Sequence, residues 1–157
     1  MGFPCAPNGG KNMNVSEELI RSIVEKILAE QAPAPAEDFV KVKDPSGIIK
    51  VVTDTVKTER FEVDGVSLKD VLTLEEAPRM GCGLMELKDG AALEWTLTYD
   101  EYDCVLEGKL EIEIDGRIVS AEPHEVIYIP KGSHIHFQTP DYAKYYYFVY
   151  PANWAEL

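Results

Sequence analysis

The residues best suited to chemistry in this chain are acids gathered in one short stretch, Tyr99-Asp100-Glu101-Tyr102-Asp103. Clustered carboxylates can hold Mg2+ together with waters, or exchange protons as general acid and base. In extended backbone alternate side chains share a face. If Glu101 points inward, Tyr99 and Asp103 therefore point with it, and Asp100 falls at the strand mouth. Glu101, Asp103 and Tyr99 are thus the candidate catalytic residues, and Glu101 and Asp103 the candidate Mg2+ ligands. The structural alternative stays open beside this one: Asp100 and Asp103 as rim residues, capped by backbone or paired with Lys or Arg. Lys131 is the best-placed cation near these acids and Lys109 the next. Asp100 and Lys131 are accordingly the candidate cofactor contacts.

Other chemistries are absent from the sequence. It holds no GxxxxGK[ST] loop, no GxGxxG after a strand, no GxSxG elbow and no HExxH, so no phosphate cradle or activated nucleophile can be read from it. Cys5, Cys82 and Cys104 are odd in number and lack CxxC spacing. They read as free thiols in a reducing compartment rather than as a disulfide framework or a zinc site. The formal charge of −13 repels phosphate backbones and anionic lipid, which argues against nucleic-acid and membrane partners. With no apolar run of about 18 residues and no signal-peptide pattern, the expected location is cytoplasmic.

The elements that must position these acids follow from periodicity. Residues 14–30, NVSEELIRSIVEKILAE, place Val15, Leu19, Ile20, Ile23, Val24, Ile27 and Leu28 on one stripe of an amphipathic helix. The Pro/Ala linker of residues 31–39 ends that helix. Residues 1–13 read as a disordered lead-in or a non-native scar. From residue 40 to 157 the period becomes two: Leu110, Ile112 and Ile114 alternate with Lys109, Glu111 and Glu113, and Asp115-Gly116 is a hairpin turn. Pro130-Lys131-Gly132 marks a second tight turn. Many short strands with turn signals between them predict an all-β barrel or sandwich with one appended helix.

Two segments, Glu101 to Gly108 and Glu125 to Gly132, resemble the two motifs of the cupin family, a jelly-roll barrel or double-stranded β-helix. Glu101 and Gly108 hold the first motif's Glu and Gly, and Pro130 and Gly132 match the second. The family's HxH pair would fall on Glu94 and Thr96, or on Trp95 and Leu97, and its last His on Ile135. No transition metal is expected on those residues. Alternation turns His134 and His136 away from a pocket that Ile135 faces, unless a β-bulge reverses it. His124 stands where the family has Gly, and His tolerates the left-handed backbone a turn there requires.

The runs Trp95-Thr-Leu-Thr-Tyr-Asp-Glu101, Ile129-Pro-Lys-Gly-Ser133 and Tyr150-Pro-Ala-Asn-Trp154 are similar to one cupin branch, the ethanolamine-utilisation EutQ family. That resemblance implies work in a bacterial microcompartment and acetate kinase activity, with Mg2+ and ATP or ADP. It also implies longer relatives with a further amino-terminal region. A homodimer is expected, as cupins commonly pair through barrel edges. Residues 14–30 would dock to microcompartment shell or core proteins. The alternative from another class is a non-catalytic cupin dimer that organises assembly; a small-molecule ligand fits either.

Overall fold

The computed structural model describes residues 20–24 and 38–156. The chain divides into two compact units, 1–36 and 37–157. In the first, residues 20–24 are helical; the rest of the expected helix, the lead-in and most of the linker lie outside the described residues.

The second unit is all-β. In chain order its strands are β1 (Lys41–Lys43), β2 (Ile49–Val51), β3 (Glu59–Arg60), β4 (Val66–Asp70), β5 (Gly81–Lys88), β6 (Ala92–Thr96), β7 (Asp100–Gly108), β8 (Leu110–Ile114), β9 (Arg117–Ala121), β10 (Val126–Ile129), β11 (His134–Gln138) and β12 (Tyr142–Tyr150). β1 and β2 pair with each other as a two-stranded sheet, and the rest form a six-stranded sheet, β10-β7-β12-β5-β4-β3, facing a four-stranded sheet, β6-β11-β8-β9. Every pairing is antiparallel. This is the jelly-roll barrel of the cupins.

Turn chemistry sets the registers. Asp115 and Gly116 have φ of 50° and 75°, the paired left-handed conformation of a two-residue hairpin, and they join Ile114 to Arg117 in register. At Gly132 (φ 88°) the Ser133 amide donates back to the Pro130 carbonyl at 3.2 Å. His124 has φ 74°, the left-handed turn expected of it.

Alternation fills the space between the sheets. Val105, Ile127, Tyr145 and Val149 from the larger sheet meet Leu93, Leu110, Ile112 and Phe137 from the smaller, all buried. Each fully buried aliphatic side chain here is worth roughly 1.5–3 kcal/mol in transfer terms. A second, smaller cluster lies on the outer face of the larger sheet, where Val56 and Val71 cover Leu84 with Phe39, Val51 and Tyr146 against them. The Thr53 and Tyr146 hydroxyls bond at 2.5 Å and tie this cover down.

Candidate functional site

Strand β7 carries the expected acids, and alternation sorts them. Glu101, Asp103 and Val105 face the barrel interior, with Glu101 4% and Asp103 0% exposed. Tyr99 joins them at 5%. The structure thus brings together the three candidate catalytic residues. Asp100 and Lys131 are not among them. Asp100 opens β7, but its Oδ1 accepts the Lys131 amide at 2.8 Å and the Tyr128 hydroxyl at 3.1 Å on an exposed surface.

The positions that hold metal ligands in other cupins are resolved as well. Trp95 lines the interior cavity, and Leu97 and Ile135 are each 1% exposed. Glu94 lies outside, with Glu94 Oε1 3.0 Å from His134 Nε2. His134 also bonds Thr96 at 2.7 Å, and His136 Nδ1 bonds Glu113 at 2.8 Å. Both histidines stand on the outer face, paired with surface partners, and no bulge turns them inward.

The cavity beside Glu101 measures about 30 Å3. Phe61, Trp95, Tyr99, Phe137, Tyr147 and Trp154 contribute its aromatic wall, with Leu68, Met85, Leu93 and Val149 completing the apolar surface. Trp95 packs edge-on against Phe61 and Trp154 at centroid separations of 5.8 and 6.3 Å. Trp95 Nε1 donates to the Tyr99 hydroxyl at 3.0 Å, and the Tyr147 hydroxyl donates to Asp70 Oδ1 at 2.7 Å. Phe61, Tyr147 and Trp154 escape sequence reasoning because they arrive from distant strands and the carboxyl end.

Burial dominates the electrostatics. It pushes the Glu101 carboxyl up to about 7, although the neighbouring Asp103 and Tyr99 pull the other way. Asp103 is held well above the usual carboxylate range by burial, then by the charge of Glu101. Among the described residues neither Asp103 oxygen meets a hydrogen-bond donor. Two adjacent buried carboxylates do not both ionise, so the pair keeps at least one proton.

Mg2+ keeps several waters in an octahedral shell. Two carboxylates and about 30 Å3 do not accommodate that shell, and by the ~10–15 Å3 that one water needs the space suits a group of roughly two or three heavy atoms. Among the described residues no set of three or more His, Cys, Asp or Glu is placed to hold a metal ion. The cavity therefore does not fit Mg2+ with a nucleotide.

The profile of the family described as ethanolamine utilisation protein EutQ matches residues 12–156. A protein of Clostridioides difficile (strain 630) named Acetate kinase EutQ is 47% identical over 151 residues, covering 90% of this chain and 96% of that one. A Salmonella typhimurium LT2 protein of the same name is 36% identical, and the chain covers 65% of its length. The solved structure of Clostridium difficile EutQ superimposes with a TM-score of 0.72 at 50% identity, over 76% of this chain and 99% of that one. The Schizosaccharomyces pombe Cnp3 cupin domain, at 16% identity and a TM-score of 0.58 over 74% of this chain and 90% of that one, shares the fold alone. With its motif residues gathered inside a cupin barrel and its sequence matched over nearly its whole length, the chain belongs to the EutQ family of ethanolamine-utilisation proteins.

Proposed function

We propose that the protein is an acetate kinase of the ethanolamine-utilisation microcompartment, interconverting acetate and ATP with acetyl phosphate and ADP. The observation that supports this most is the 47% identity to a relative of that name over 96% of the relative's length. In the reaction an acetate oxygen attacks the terminal phosphorus and ADP leaves, so the charge of the transferring phosphoryl group must be balanced by Lys, Arg or metal. Among the described residues no Lys or Arg lines the barrel cavity. The nucleotide and its Mg2+ then belong outside it, where Lys131 is exposed on the turn after β10. Glu101, Asp103 and Tyr99 are the interior polar groups of this reading, with Glu101 at the cavity wall. Its test is ATP formation from acetyl phosphate, ADP and Mg2+ by the purified chain; no turnover above the uncatalysed rate refutes it.

The cavity without cationic residues favours a second reading, a non-catalytic homodimer that organises microcompartment assembly. In both readings residues 14–30 dock the protein to shell or core partners. Deleting them is expected to abolish co-localisation with shell proteins, and unchanged co-localisation would contradict that role.

A further inference from the structure

We propose that the barrel cavity is a binding site for a small organic ammonium ion, held by Glu101 within a wall of aromatic faces. The inference goes beyond phosphoryl transfer and holds or fails independently of it. Its first support is the composition of the wall: Phe61, Trp95, Tyr99, Tyr147 and Trp154 surround Glu101, the single carboxylate of the lining. Aromatic faces attract cations through the ring quadrupole, by up to about 2 kcal/mol when water is excluded.

The second support is charge. Among the described residues the titratable groups around Glu101 are acids and phenols: Asp103 behind it on β7, Tyr99 before it, and Tyr145 and Tyr147 from β12. Asp70, which accepts from Tyr147, adds another acid on β4. An anion such as acetate would meet carboxylates with no cation to offset them. A neutral alcohol would leave the buried acids uncompensated. An ammonium brings both the missing positive charge and N–H donors.

The third support is the acid directly behind Glu101 in the same strand: Asp103 is fully buried and neither of its oxygens has a hydrogen-bond partner among the described residues. A cation on Glu101 offsets the charge of the pair from the cavity side. The volume of about 30 Å3 limits the ligand to a primary ammonium on a chain of one or two carbons.

The test titrates ethylammonium, ethanol and acetate, matched in size, without nucleotide. The chain's two tryptophans, Trp95 and Trp154, both line the cavity, so intrinsic fluorescence reports its occupancy, with calorimetry as a check. Saturable binding of ethylammonium at least tenfold tighter than ethanol or acetate is expected, with a tenfold or greater loss in Glu101→Gln. Acetate or ethanol binding as well as ethylammonium would overturn the proposal, as would full ethylammonium binding by Glu101→Gln. If that variant does not fold, the order of the three ligands on the wild-type protein decides alone.

Discussion

Trp95 Nε1 donates a hydrogen bond of 3.0 Å to the hydroxyl of Tyr99. An indole can only donate, so the Tyr99 oxygen is the acceptor and its own proton is free to turn elsewhere. Tyr99 and Glu101 line the same cavity, so the bond from Trp95 holds the phenol in place on the wall that also carries the buried carboxyl. Replacing Trp95 with Phe removes the donor and keeps most of the ring. A loss of about 1 kcal/mol is expected from the bond, with more from lost packing against Trp154 and Phe61, measured by urea denaturation. An unchanged midpoint would show that the bond orders nothing.

The buried acids make stability depend on pH. Burial raises Glu101 from 4.5 in its ordinary state to about 7 in the folded protein. Between those values the folded chain binds more protons than the unfolded one, so stability falls as pH rises. The favourable contribution is complete below 4.5 and lost once pH passes 7. For this group it amounts to about 3 kcal/mol. Glu101→Gln is expected to flatten the profile between pH 5 and pH 8. A wild-type protein more stable at pH 8 than at pH 5 would contradict the direction of the shift.

Gly83 lies opposite Tyr147 across the β5–β12 pair, and a Cβ on Gly83 would collide with the Tyr147 ring. That ring walls the cavity and carries the hydroxyl that reaches Asp70. Gly83→Ala must displace it, at a cost of roughly 1–3 kcal/mol for overpacking beyond the lost hydrogen bond. A lower Tm is expected, together with altered tryptophan fluorescence from the cavity. A variant as stable as the parent would mean that the ring has room to move.

Strand β10 is one edge of the larger sheet, and Val126 and Tyr128 on it are exposed beside Tyr102. Edges of this kind are normally covered or charged. A homodimer formed there predicts a two-chain mass in sedimentation for the parent and a monomer for Val126→Asp. A monomeric parent would remove the homodimer on which the second functional reading rests.

Alternation and turn chemistry made most of the barrel legible. Leu110, Ile112 and Ile114, closed by Asp115-Gly116, form β8 and its hairpin to β9 as the sequence pattern implies. The same logic placed Glu101, Asp103 and Tyr99 together and turned His134 and His136 outward. Strands β1, β3 and β4 are not legible in the sequence, because short mixed segments such as Val66-Ser-Leu-Lys-Asp70 carry little periodicity. The cavity wall was hidden for another reason. Phe61 and Trp154 lie far from β7 in sequence and meet Trp95 only through the closure of the barrel. Sequence spacing also left open whether Glu94 and Thr96 or Trp95 and Leu97 face inward, since either phase suits a strand until its partner is known. Pairing of Trp95 with buried Ile135 on β11 settles it.

Steady-state formation of ATP from acetyl phosphate, ADP and Mg2+ tests the acetate kinase reading most directly, with wild type and Lys131→Ala both shown folded by circular dichroism. Turnover by the wild type that falls about tenfold or more in Lys131→Ala, which removes the exposed cation nearest the nucleotide's expected place, is the predicted result. No turnover by the wild type above the uncatalysed rate would contradict it.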